Sequence, residues 1–162
     1  MDKKVFKKLT KQQFINYGFE YYNKKFYLNL KNIVIQALYR LYPFDKGLTI
    51  DYSIIIKQLT KFPTDNLQEI ERAFEDFSEI PVQMPALEHI QVKTKNVKLS
   101  IFNPEEIDEN IWNEELPKSL HEKFDPFKTN DLAQMKFLSF SKDRNNHIVV
   151  NDKVKAYLMN QK

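Results

Sequence analysis

No cysteine occurs anywhere in the chain, which excludes disulfides, thiolate catalysis and Cys-ligated zinc and leads to an expected cytoplasmic location. Glycine is nearly as scarce: Gly18 and Gly47 are the only two, against an ordinary share of about 7%. That shortage removes every glycine-rich phosphate cradle. Arginine is limited to Arg40, Arg72 and Arg144 beside 22 lysines, so few guanidinium forks exist for bidentate reading of bases or phosphates. No apolar run approaches the roughly 18 residues of a membrane span, so no membrane association is expected. The opening Met1-Asp2-Lys3-Lys4-Val5-Phe6 has no signal-peptide apolar region either. The three histidines, His89, His121 and His147, are scattered, and no Gly-x-Ser-x-Gly elbow is present. No metal site, cofactor or His-centred triad is therefore expected.

What the chain does contain is core-forming material and unevenly placed charge. Apolar residues make up 42% and aromatic residues 14% of its 162 positions, enough for one domain of ordinary size. Residues 1–62 hold 12 Lys+Arg against 4 Asp+Glu, whereas residues 63–125 hold 6 against 15. The remainder is basic again, with 7 against 3, so a net charge of +3 conceals a polarised chain.

Local patterns predict an α+β fold over 1–162: a single domain with an antiparallel sheet of four or more strands, an N-terminal helix and two or three further helices. Asp2 reads as the N-cap of a helix reaching Tyr17, with Gly18 as its C-cap and Lys3, Lys4, Lys7, Lys8 and Lys11 facing water. Phe19–Tyr22 and Phe26–Leu30 flank a polar hairpin connection. Ile33–Tyr42 reads as a strand, and Leu48–Leu59 alternates so regularly that it predicts a half-buried strand with Thr49, Asp51 and Ser53 outward. Pro43–Gly47 is a turn between them. Asp65 with Gln68 is a capping-box signature before a helix carrying Leu67, Ile70, Phe74 and Phe77. A second hairpin is expected over His89–Thr94 and Val97–Phe102. Asn103-Pro104-Glu105-Glu106 predicts a helix start, with a break near Pro117 and a loop through Asp125-Pro126. Met135–Phe140 and His147–Val150 read as paired strands, followed by a terminal helix over Lys153–Met159.

Two surfaces stand out as candidate binding sites. Glu105, Glu106, Asp108, Glu109, Glu114 and Glu115, around Trp112 as an aromatic anchor, with Glu69, Glu71, Glu75 and Asp76 upstream, form an acidic surface over about 65–115 suited to a basic protein partner such as a nucleic-acid enzyme or a toxin. The alternative is single-stranded nucleic acid on Lys4, Lys7, Lys8 and Lys11, with the rings of Phe19, Tyr21, Tyr22, Phe26 and Tyr27 for stacking. A faint nuclease-like pattern, Gln91-Val92-Lys93 with Glu88 and an upstream Asp51 or Asp76, is a third reading. The competing explanation for each is ordinary: solvated charge, core rings and chance alternation.

The lysine-rich helix, Tyr17-Gly18-Phe19, the Lys25-Phe26-Tyr27 strand and the ending Ile54-Ile55-Ile56-Lys57-Gln58-Leu59 resemble a family of uncharacterised bacterial domains over residues 1–60. A Gln-Lys-Ser element of that family's third strand is missing, with Gln36 its only trace. The resemblance implies the fold and no activity; immunity proteins and phage-borne inhibitors among small cytoplasmic α+β domains are its context. The expectation is therefore a non-enzymatic, inhibitor-type binding protein using the acidic surface, with the nucleic-acid module as the alternative.

Overall fold

Asp2 accepts a hydrogen bond from the Val5 N–H at 2.8 Å and opens α1, Lys3–Tyr17. The helix ends at Gly18, whose φ of 126° lies in the region that favours a residue without Cβ. A computed structural model describes residues 1–42, 47–60, 65–75, 86–143 and 148–161. Among these, β1 (Glu20–Tyr22), β2 (Lys25–Asn29), β3 (Ile33–Tyr42), β4 (Gly47–Ile56) and β5 (Ala86–His89) form one antiparallel sheet in chain order. β6 (Val92–Thr94) and β7 (Val97–Leu99) make a separate hairpin. Four more α-helices follow the sheet's first four strands: α2 (Leu67–Glu75), α3 (Glu109–Thr129), α4 (Asp131–Phe140) and α5 (Asp152–Met159). The fold class is α+β.

Both hairpins turn on two residues with positive φ, Asn23-Lys24 and Lys95-Asn96. That backbone twist matches the twist of the strands it joins.

The chain gathers into two compact units: Met1–Leu28, Ala37–Tyr52 and His89–Asp125 form one, and Asn29–Gln36, Ser53–Glu88 and Pro126–Lys162 the other. In the first, Phe6, Phe14, Phe19, Phe26, Phe102, Trp112 and Phe124 are buried. Phe14 lies 4.5 Å from Phe26 and 5.0 Å from Phe19 between ring centroids. In the second, Ile33, Ile35, Ile54, Ile56, Met135, Leu158 and their neighbours are buried.

Several sequence expectations are corrected. All ten residues of β4 are buried, so Thr49, Asp51 and Ser53 do not face water. Alternation reports which side chains share a face, and here both faces are covered. The 48–59 strand also ends at Ile56 and passes into a single 3₁₀ turn, Lys57–Leu59. Asn66, not Asp65, caps α2, accepting from the Glu69 N–H at 3.1 Å. Asp65 instead accepts from Asn29 Nδ2 at 3.0 Å and pairs with Lys57 at 3.4 Å, and these contacts hold its carboxyl below the usual range.

Pro104–Glu106 is one 3₁₀ turn rather than the start of a long helix, which begins at Glu109 under an Asp108 cap. That helix then runs through Pro117 and Pro126. Each proline forfeits one backbone bond, but buried Trp112, Leu116, Leu120, Phe124 and Phe127 recur every three or four residues and outweigh the loss. Met135–Phe140 is helical, part of α4. The turn over 43–46, Phe77, Asp76 and His147 lie outside the described residues.

Asp131, 5% exposed, anchors the loop before β3 in the second unit. Its carboxylate accepts from the Asn32 N–H at 2.6 Å and from Asn32 Nδ2 at 2.8 Å, and also from the Leu132 N–H at 2.7 Å. Asp131→Ala strands these donors and is expected to cost about 2–3 kcal/mol, read as a lowered urea midpoint; a change under about 0.5 kcal/mol would contradict that role.

Candidate functional site

The first unit brings α1 over the β1–β2 hairpin because the apolar stripe of α1 is narrow. Phe6, Thr10, Phe14 and Tyr17 are its buried residues, and the lysines occupy the remaining faces. Where that basic side meets the hairpin, Lys7, Lys8, Lys11, Tyr21, Lys24, Phe26 and Tyr39 line a groove of about 420 Å³. Four ammonium groups and three rings surround it, and no carboxylate is among the lining residues. Lys11 Nζ sits 3.9 Å above the centre of the Tyr21 ring, and Lys7 Nζ lies 5.8 Å from that of Tyr39, both cation–π arrangements.

Of the residues expected to bind nucleic acid, Lys7, Lys8 and Lys11 come together here, while Lys4 is exposed but outside the lining. The stacking platform shrinks. Phe19, Phe26 and Tyr27 are buried, Tyr22 is half-buried, and Tyr21, 38% exposed, is the hairpin ring open to solvent. Lys24 and Tyr39 join the site unannounced. Lys24 occupies a left-handed turn position, and Tyr39 stands on strand β3.

The acidic stretch forms differently from expectation. Glu105, Glu106, Asp108, Glu109 and Glu114 are exposed and Glu115 is half-buried, with Lys118 Nζ at 2.9 Å from Glu114 and 3.0 Å from Glu115. The Lys118 hydrogen bond holds the Glu114 carboxyl below its usual range. Trp112 is no surface anchor. It is fully buried, its indole N–H donates to Thr10 Oγ1 at 3.0 Å, and its ring packs 4.7 Å from Phe6. The acidic stretch also lies beside the lysine helix: the Met1 amine donates to the carbonyls of Pro104 at 2.9 Å and Ile107 at 3.0 Å.

Two histidines acquire carboxylate partners from a distance in sequence or along a helix. His89 Nδ1 lies 2.6 Å from Asp51 Oδ1, Arg40 Nε lies 2.8 Å from Asp51 Oδ2, and Thr49 Oγ1 donates to Asp51 Oδ1 at 2.8 Å. The parity of the strands contained this signal: Arg40 and Asp51 are the charged residues on the faces opposite the apolar alternation of β3 and β4. Both oxygens of Asp51 are thus engaged by cations or donors, which leaves it ill-suited to the nuclease-like metal site with Gln91 and Lys93. Among the described residues no cluster of three His, Asp or Glu could hold a metal ion.

His121 Nδ1 lies 2.9 Å from Asp125 Oδ2, and the Tyr17 hydroxyl donates to Asp125 Oδ1 at 2.7 Å. Burial, then the Asp125 contact, pushes the Tyr17 phenol well above its ordinary 10.0. Burial likewise raises that of Tyr39. No helix among the described residues is long and apolar enough to cross a membrane.

No protein-family model matches the chain, and no curated protein or solved structure matches it.

The raised phenols give a pH prediction. Both groups are neutral in the fold and ionise more easily when unfolded, so their contribution to stability is intact below pH 10.0 and is lost as pH rises above it. In an absorbance titration of tyrosinate, Tyr17→Phe and Tyr39→Phe should leave the portion ionising near pH 10 unchanged and each remove amplitude from the steep, unfolding-linked portion. Ionisation of either near the ordinary value would contradict the buried geometry.

Proposed function

We propose that this chain is a binding protein for single-stranded nucleic acid, held in the groove between α1 and the β1–β2 hairpin. The observation that carries the reading is the convergence of Lys7, Lys8, Lys11 and Lys24 around Tyr21, 38% exposed, without an acidic residue in the lining. Ammonium groups neutralise phosphates and release counterions, while one ring accepts one base. Lys11 already covers that ring, so an arriving base takes the π face as the ammonium swings to a phosphate. The groove volume of about 420 Å³ falls in the range of small-ligand sites and suits one nucleotide with its flanking phosphates. With lysine point charges in place of arginine forks, recognition is of backbone and ring, with little sequence preference.

A second reading is supported by the run of exposed Glu105, Glu106, Asp108 and Glu109 ahead of and into α3. These acids suit a basic protein partner, a nucleic-acid enzyme or toxin that the chain would inhibit, but with Trp112 buried the surface lacks its aromatic anchor. The absence of cysteine favours the cytoplasm for either role.

Fluorescence anisotropy with a labelled 20-nucleotide DNA strand tests the first reading. Four lysine–phosphate contacts predict a slope of about −3 in log affinity against log salt, and Lys7→Glu/Lys8→Glu/Lys11→Glu should abolish binding. Tyr21→Ala should weaken it by about 1–3 kcal/mol. No binding at low salt, or binding indifferent to the triple change, rejects the groove.

A further inference from the structure

The Arg40–Asp51–His89 cluster is chemically separate from the lysine groove. We propose that it is a cleavage site for single-stranded RNA, with His89 as general base and Arg40 as the cation on the phosphate. This rests on the nucleic-acid reading above and names a substrate class and a reaction for the same chain. Asp51 is 3% exposed, whereas the side chains of His89 and Arg40 are 43% and 53% exposed. A buried carboxylate thus holds two solvent-facing functional groups. The 2.6 Å contact from Asp51 Oδ1 to Nδ1 fixes the proton on that nitrogen and leaves Nε2 as the basic one. Arg40 spends its Nε on Asp51 Oδ2, and among the described residues its two terminal NH₂ groups stay available for an oxyanion.

The reaction class follows from what accompanies the base. The hydroxyl bonded into the cluster, Thr49 Oγ1, is spent as a donor to Asp51, so among the described residues the cluster supplies a base and a cation and no nucleophile. RNA brings its own nucleophile: the ribose 2′-hydroxyl stands next to the phosphodiester. His89 Nε2 takes the 2′-OH proton, the 2′ oxygen attacks phosphorus, and the P–O5′ bond breaks with its electron pair on the 5′ oxygen. Arg40 faces the charge that builds on the non-bridging oxygens. The 5′ oxygen takes a proton from water, and the resulting hydroxide recovers the proton from His89, so the base is regenerated. The products are a 2′,3′-cyclic phosphate and a 5′-hydroxyl. Asp51 is a positioning residue that acts through the imidazole.

The test incubates the full chain with a labelled single-stranded RNA and, separately, the DNA strand of the same sequence. RNA should be cut to 2′,3′-cyclic phosphate ends and DNA left whole. His89→Ala should lower the rate about 100-fold, with partial recovery on adding free imidazole, a result that a merely structural histidine would not give. His89→Gln keeps a donor toward Asp51 and cannot accept a proton, so it should be as inactive in a fold that matches the parent by circular dichroism. Asp51→Asn should lower kcat more than it raises KM. RNA left intact by the parent protein, cleavage of DNA at an equal rate, or unchanged cleavage by His89→Gln overturns the proposal. RNA that is bound in the groove and not cut would overturn the cleavage site alone, whereas absence of binding would count against the groove.

Discussion

The position of α1 depends on one buried relay of hydrogen bonds. The Trp112 indole N–H donates to Thr10 Oγ1, whose own hydroxyl donates to the Phe6 carbonyl at 2.7 Å, and the Phe6 ring closes over the indole. A buried indole N–H needs an acceptor, and a threonine inside a helix needs a use for its hydroxyl. Each meets the other's requirement. The helix is thereby fixed in rotation as well as in place, and its rotation decides that Lys7, Lys8 and Lys11 overhang Tyr21 and Tyr39 instead of dispersing into solvent.

Strand β3 serves both candidate sites through the period of two in a strand. Tyr39 and Arg40 are consecutive, so their side chains leave opposite faces of the sheet. Tyr39 lines the lysine groove while Arg40 reaches Asp51. Because β4 is buried along its whole length, the charge of Asp51 has to be met where it stands, by Arg40, His89 and Thr49. The polarised composition of the chain resolves at this scale. The lysines of α1 and the acids Glu105, Glu106, Asp108 and Glu109 belong to one unit, where the Met1 amine ahead of α1 donates to the carbonyls of Pro104 and Ile107.

Much of the architecture was legible because it is local. The Asp2 and Gly18 caps, the Asn23-Lys24 and Lys95-Asn96 turns and the Ile33–Tyr42 strand all announce themselves within a few residues. What was not legible depends on packing from elsewhere in the sequence. Pro117 and Pro126 read as breaks, yet the buried stripe from Trp112 to Phe127 carries the helix past both. The same pattern of alternation describes a strand covered on one face or on two, so Asp51 looked solvent-facing. The lysines of α1 were identified with the correct exposure, but Lys24 and Tyr39 reach the groove through the hairpin twist and sheet pairing, which no short window contains. Trp112 looked like an anchor because its neighbours are acidic; its partner, Thr10, is 102 residues away.

Residue-resolved chemical-shift mapping with an unlabelled oligothymidylate tests the central claim most directly. The account predicts perturbations concentrated at Lys7, Lys8, Lys11, Tyr21 and Lys24, with Glu105–Glu115 unmoved. Shifts confined to the acidic stretch, or none on either face at millimolar ligand, would contradict it.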